Sequence, residues 1–192
     1  MPKERNNLIK EQLKKIEIGT VKKQDTSENL AKNVFLGIGS NIGNRKKNIE
    51  KAKYYLSRQD LHFISISSYY ETPSWPNPKN PKFLNIILKI RCNFEPLELL
   101  KICKDIEIIL GRKKTIKNAP RVCDIDIIDF EGVVTNSEYK INLPHKLMHK
   151  RNFVLFPLFE IQKDWLHPIK QINVKSLIYL LPYKDIRSIK QI

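Results

Sequence analysis

A short apolar run at 34–39, β-rich runs at 61–70 and 83–90 and a clean alternation of Asp and Ile at 124–127 read as strands, and apolar residues recur at three- and four-residue spacing along 45–58 and 96–110. The pattern predicts strand, helix, strand, strand, helix, strand. Asn44 can cap the first helix, which turns Ile49, Ala52, Tyr55 and Leu56 inward. Pro96 suits the first turn of the second, whose buried stripe is Leu99, Leu100, Cys103, Ile106 and Leu110, with Gly111 at its C-terminal cap. Between the second and third strands lie Pro73, Pro76, Pro78 and Pro81, which exclude both helix and ladder and predict an extended loop carrying Trp75. Beyond the fourth strand, Glu131-Gly132 predicts a hairpin turn into Val133-Val134, residues 141–143 a further strand, 154–159 core, and 174–181 a late helix. Residues 1–33 form an extension, with Leu8, Ile9, Leu13 and Ile16 at helical spacing, and 34–192 form the globular domain.

The chain has 192 residues, enough for one well-buried domain, and no apolar run approaches the ~20 residues of a membrane helix. The extension has no signal-peptide core and carries too many acids for a transit peptide. A net charge of +15 favours nucleic acid, an acidic surface or an anionic substrate. Because the excess is mostly lysine, spread evenly along an isoleucine-rich chain, the arginines inform more than the total. Cys92, Cys103 and Cys123 lack CxxC spacing, which argues against zinc or a disulfide framework and fits a reducing, cytoplasmic compartment without a membrane.

The chemistry concentrates around 120–130. Asp124 and Asp126 are two apart on a strand and share a face, where a hard cation such as Mg²⁺ would relieve their repulsion. Arg121 beside them suits phosphate oxygens. A strand edge with solvated aspartates is the competing reading. The loop with Arg112, Lys113, Lys114 and Lys117 is either a complement to a chelated triphosphate or a solvated surface. Phe83 and Asn85 share a face that suits a flat heterocycle, or else a core ring and a turn amide. GIGSNIGN at 37–44 matches neither dinucleotide nor P-loop spacing and is read as a tight turn. His145, Arg151 and Phe153 stand close together in sequence.

The element order is that of an α+β fold: a ferredoxin-like antiparallel sheet with helices packed on it, extended by extra strands and a C-terminal helix. With Gly37-Ile38-Gly39-Ser40-Asn41, Tyr70-Glu71-Thr72-Pro73, Phe83-Leu84-Asn85, 120–126 and Leu143-Pro144-His145 through Phe153, in that order, the chain closely resembles the 6-hydroxymethyl-7,8-dihydropterin pyrophosphokinase family over about 34–161. The resemblance implies transfer of pyrophosphate from ATP to the pterin hydroxymethyl oxygen, giving AMP, in folate biosynthesis. It implies that Asp124 and Asp126 hold two Mg²⁺ ions and act in catalysis with Arg112 and Arg121. It places Glu107, Arg112, Lys114, Arg121, Ile127, Asn142, His145 and Arg151 at ATP, and Gly39, Thr72, Pro73, Ser74, Trp75, Phe83, Asn85 and Phe153 at the pterin. It implies a monomer that binds these two substrates and no nucleic acid.

The chain departs from the family at Lys117-Asn118-Ala119-Pro120-Arg121, where Arg-Trp-Gly-Pro-Arg is usual, and at Lys146, where a tyrosine is common. The altered loop bears on closure over ATP. Two other readings are a nucleic-acid-binding module, for which the aspartate pair is electrostatically adverse, and a catalytically silent scaffold, against which the retained site residues speak.

Overall fold

Strand β1 (Lys32–Ser40) is buried on both faces, which requires a sheet covered on two sides. In the computed structural model, residues 31–112, 119–135 and 138–192 are described. The helix read from Leu8 to Ile16 and the loop lysines Lys113, Lys114 and Lys117 lie outside them. Helix α1 (Arg45–Ser57), β2 (Leu61–Ile66), β3 (Tyr70–Thr72), β4 (Phe83–Cys92), helix α2 (Pro96–Ile109) and β5 (Asp124–Phe130) follow β1 in chain order. The sheet is antiparallel in order β5-β1-β4-β3-β6, with β2 also on β4 and β6 (Lys190–Gln191) at the far end.

Three expectations change. The strand read over 61–70 is two strands sharing β4, because the backbone turns at Ser67: its amide donates to the Ile87 carbonyl at 2.9 Å and its hydroxyl accepts the Ile87 amide at 2.9 Å. The strands expected at Val133-Val134 and 141–143 do not form. Glu131 and Gly132 do make a positive-φ turn (51° and 71°), but Val133 and Val134 then stay exposed. Thr135 carries most of the hydrogen bonding there, its amide donating to the Leu143 carbonyl at 3.0 Å and its hydroxyl accepting the Leu143 amide at 2.9 Å. The extra strand lies instead at the C-terminus, where β6 borders β3.

Period-two patterning sorts the sheet residues. Val34, Leu36 and Ile38 of β1, Leu84, Ile86, Leu88 and Ile90 of β4, and Ile125 and Ile127 of β5 face α1 and α2, where Ile49, Ala52, Leu56, Leu99, Cys103 and Ile106 close one core. Asn44 caps α1 by accepting the Lys47 amide at 3.0 Å, an interaction of about 1 kcal/mol. On the other face Phe35, Ile87 and Ile128 pack against α3 (Asn152–Ile161) and α4 (Val174–Tyr179), followed by α5 (Tyr183–Ser188). A register shift in the β1–β5 pairing sends both Ile128 and Asp129 toward this second core, where Asp129 accepts the Trp165 indole N–H at 2.8 Å. Burial pushes the free thiols of Cys103 and Cys123 up to about 12, so they are structural. Among the described residues no helix is long and apolar enough to cross a membrane.

His167 lies between α3 and α4, 3% exposed, with Trp165 and His149 edge-on at 5.7 Å and its Nδ1 accepting the Ile169 and Lys170 amides. Burial lowers its pKa to about 4. The unfolded chain, with an ordinary value near 6.5, therefore binds the proton first, so His167 stabilises the fold fully above about pH 6.5 and loses that contribution as pH falls toward 4, by up to ~3 kcal/mol. His167→Asn keeps an acceptor for the two amides but does not titrate. Its stability deficit, measured by urea unfolding, is expected to narrow by more than about 1 kcal/mol between pH 7 and pH 4.5; a constant deficit would contradict the assignment.

Candidate active site

The second face of the sheet has a hole in its side-chain layer. Gly37 and Gly39 fall on that face of β1, paired across to Asp126 and Asp124 on one side and to Ile87 and Asn85 on the other. Without side chains there, a cleft opens, floored by the glycines and walled by Phe83, Asn85, Asp124, Asp126, Trp75, Arg151 and Phe153. Gly39 allows the close approach: a Cβ would stand 2.8 Å from Asn85 Oδ1 and 3.3 Å from a Phe83 ring carbon.

One wall is charged. Asp124 is held by Arg112 Nη1 at 2.7 Å and by Arg121 Nη1 at 3.1 and 3.2 Å. Asp126 faces Arg151 Nη1 at 3.5 Å and His145 Nε2 at 3.9 Å. For Arg112 burial disfavours the charge, but Asp124 and Glu107 outweigh it and the pKa is raised. Burial lowers Arg151 and His145 despite Asp126, so His145 is neutral near pH 7. The neutral ring has one lone-pair nitrogen. The Leu147 amide points to Nδ1 and Arg151 Nη1 to Nε2, both at 3.3 Å, and the neutral ring accepts from one of these two donors at a time.

The other wall suits a planar ring. Phe83 and Phe153 line it, and Asn85, 6% exposed, donates to the Thr72 hydroxyl at 3.3 Å. The Arg151 guanidinium lies 5.4 Å from the Trp75 ring centroid and 5.5 Å from that of Phe153. Pro73 and the buried Ser74 belong to the loop that carries Trp75.

Most of the expected site residues converge on this cleft, and three do not. Ile127 turns its side chain into the opposite core. Asn142 is exposed in a neighbouring cleft with Thr135, Lys146, His149 and Lys170, which His145 joins to the first. Glu107 is 1% exposed and reaches the site only through Arg112. Lys114 lies outside the described residues.

Two supporting residues escaped sequence reasoning. Asn41, 3% exposed, accepts the Arg121 amide at 2.7 Å and donates to the Pro81 carbonyl at 3.1 Å, tying the end of β1 to both walls. Arg45 pairs with Glu71 at 2.9 Å and donates to the Lys82 carbonyl at 3.0 Å, closing the base of the proline-rich loop. The signal was an amide directly after a glycine-alternating strand; a lone arginine on a lysine-rich helix gave none.

The family model of 7,8-dihydro-6-hydroxymethylpterin-pyrophosphokinase (HPPK) matches residues 35–163. The chain belongs to this family. It is 38% identical over 143 residues to the 2-amino-4-hydroxy-6-hydroxymethyldihydropteridine pyrophosphokinase of Aquifex aeolicus, covering 74% of this chain and 88% of that one. It is 35% identical over 154 residues to the folic acid synthesis protein fol1 of Schizosaccharomyces pombe, covering 80% of this chain but spanning only 21% of the relative's length. The Plasmodium falciparum HPPK-DHPS crystal structure shares the fold with a TM-score of 0.60 at 14% identity, over 77% of this chain and 44% of that one. Like these HPPK domains, the chain is an α+β fold with helices on an antiparallel sheet.

Gly39→Ala tests the floor. The added methyl meets Asn85 Oδ1 and Phe83, and a loss of about 1–3 kcal/mol in urea unfolding is expected, whereas unchanged stability would show that the wall yields freely.

Proposed function

We propose that this chain transfers the terminal pyrophosphoryl group of ATP to the hydroxymethyl oxygen of 6-hydroxymethyl-7,8-dihydropterin, releasing AMP, as a step in tetrahydrofolate biosynthesis. One observation carries the reading beyond family membership: the aspartate pair and three arginines form one wall of a cleft whose other wall is aromatic and amide-bearing. That juxtaposition suits a polyphosphate and a planar heterocycle side by side.

The residues fit Mg²⁺. Asp124 and Asp126 offer hard carboxylate oxygens on one face of β5, the donor type that Mg²⁺ prefers. They are the residues that would hold the two expected ions, which supply charge neutralisation at the phosphate oxygens when bound.

The chain's own groups do the rest. Phe83 and Phe153 stack the pterin above Gly39, Asn85 and Thr72 read its polar edge, and Pro73, Ser74 and Trp75 cover it. The pterin oxygen bonds to the β-phosphorus, the bond from that phosphorus to the α-phosphate oxygen breaks, and AMP leaves with the electron pair while the hydroxyl proton departs to solvent. Arg112, Arg121 and Arg151 exchange their carboxylate contacts for phosphate oxygens, where charge grows. His145, shared between the two clefts, brings the nucleotide's phosphates toward Asn142 and the backbone of Ile127 on the nucleoside side. This chemistry needs alignment more than a strong protein base.

The finer fold description belongs to the same reading. The order β5-β1-β4-β2 of the main strands, with α1 and α2 on one face, supports ferredoxin-like ancestry. The buried free thiols support a reducing, cytoplasmic setting, and a monomer already contains both walls. The nucleic-acid reading loses support because Phe83 is half-buried in the cleft instead of standing out from the sheet.

The test is AMP release from ATP by the full chain. Release is expected only with both Mg²⁺ and the pterin, and EDTA should abolish it. Asp124→Ala and Asp126→Ala should each lower turnover by about a hundred-fold or more while leaving the fold intact. Near-normal turnover in both variants would overturn the metal assignment; no AMP from a folded wild type would favour the scaffold.

A further inference from the structure

Glu107 lies on the buried stripe of α2, with side-chain exposure of 1%. A carboxylate removed from water at such a position costs several kcal/mol unless it is thoroughly paired. Here it is: Oε1 accepts the Ile125 amide at 2.7 Å and Lys104 Nζ at 2.8 Å, while Oε2 accepts Arg112 Nη1. The Ile125 amide belongs to β5, the end strand of the sheet, so the carboxylate occupies the place of a missing neighbour strand. The same Arg112 nitrogen reaches Asp124 Oδ1 at 2.7 Å, and Asp124 adjoins Ile125 in the chain.

One buried carboxylate therefore fixes the strand carrying Asp124 and the arginine facing it. Resting on the activity proposed above, we infer that Glu107 is a positioning residue: it tethers Arg112 beside Asp124, so that the guanidinium stays within reach of the ATP phosphates when a cation takes its place on the aspartate. Arg112 would be repelled by a cation held at Asp124 and would compete with it for the same oxygens. Glu107 is the remaining anion that holds the guanidinium, and its own oxygens have no opening to the nucleotide. The geometry separates this role from direct ATP contact.

A double-mutant cycle with Glu107→Gln and Arg112→Ala on the full chain tests it. Glutamine keeps an acceptor for the Ile125 amide and loses the charge toward Arg112. E107Q is expected to weaken binding of the Mg²⁺ complex of α,β-methylene-ATP, read by calorimetry, by about ten-fold, and to lower kcat similarly, while pterin affinity stays within about two-fold. In the R112A background the same change should alter nucleotide affinity by less than about two-fold. An equal loss in both backgrounds, or a parallel loss of pterin affinity, overturns the role and leaves Glu107 a strand anchor. If E107Q does not fold, Glu107→Asp retracts the charge from Arg112 and must show the same masking by R112A. Wild type that binds the nucleotide yet releases no AMP overturns the reaction and leaves the cycle readable; wild type that binds no nucleotide overturns both.

Discussion

The repulsion between Asp124 and Asp126 is the constraint on which the site is built. Standing on one face of β5, about 7 Å apart along the strand, they repel by ~2 kcal/mol at an effective dielectric near 20. The structure answers with cations from three directions: Arg112 from the end of α2, Arg121 from the approach to β5, and Arg151 from the approach to α3. Each is itself partly buried, so none is a free surface charge, and withdrawing any one leaves a carboxylate underpaired in a desolvated wall. Such a wall exchanges partners readily. Under the activity proposed above, phosphate oxygens would take the arginines only as cations took the aspartates, which would couple the two ligands electrostatically.

The sheet makes room for this exchange by omission. A strand buried on both faces ordinarily carries large side chains in alternation, as Val34, Leu36 and Ile38 do toward α1 and α2. Toward α3, β1 instead presents Phe35, then Gly37 and Gly39, so the second core stops partway along the strand and the cleft begins where it stops. The β5 edge is closed without another strand: Glu107 and Lys104 take the Ile125 amide and carbonyl, and the His145 amide donates to the Ile128 carbonyl at 2.9 Å. Edge protection and site construction use the same residues.

Periodicity exposed the parts of the chain whose burial alternates with their secondary structure. The strands β1, β4 and β5 and the helices α1 and α2 were legible because each has a one-residue or heptad-like code for its faces, and the aspartate pair was legible because a strand's period places 124 and 126 together. Other parts carried no such code. Ser67 breaks a β-rich run by substituting its hydroxyl for a ladder acceptor, and β6 is too short to have a period. Val133 and Val134 have the right propensity but stay exposed and join no strand among the described residues. Pro157 hid the continuity of α3, although the helix merely loses the bond to the Phe153 carbonyl. Within the site, Asn41 and Arg45 act across long sequence separations that spacing cannot show. Glu107 was named only through the family resemblance, and nothing in the stripe of α2 showed that its carboxylate would be buried and paired.

The net charge of +15 proves a poor guide to the chemistry, and the reason is physical. Among the described residues three arginines face the aspartate pair, although lysines outnumber arginines in the chain more than three to one. Guanidinium is planar, weakly hydrated and charged even when burial lowers its pKa, as at Arg151. It can therefore sit beside Trp75 and Phe153 and still meet a carboxylate, a position in which an ammonium group would give up more hydration. Lys104, the lysine that joins the network among the described residues, is half-exposed and works through Glu107. The character of the site is thus read in which cation occupies each buried place, while the sum over the surface records the lysine-rich composition.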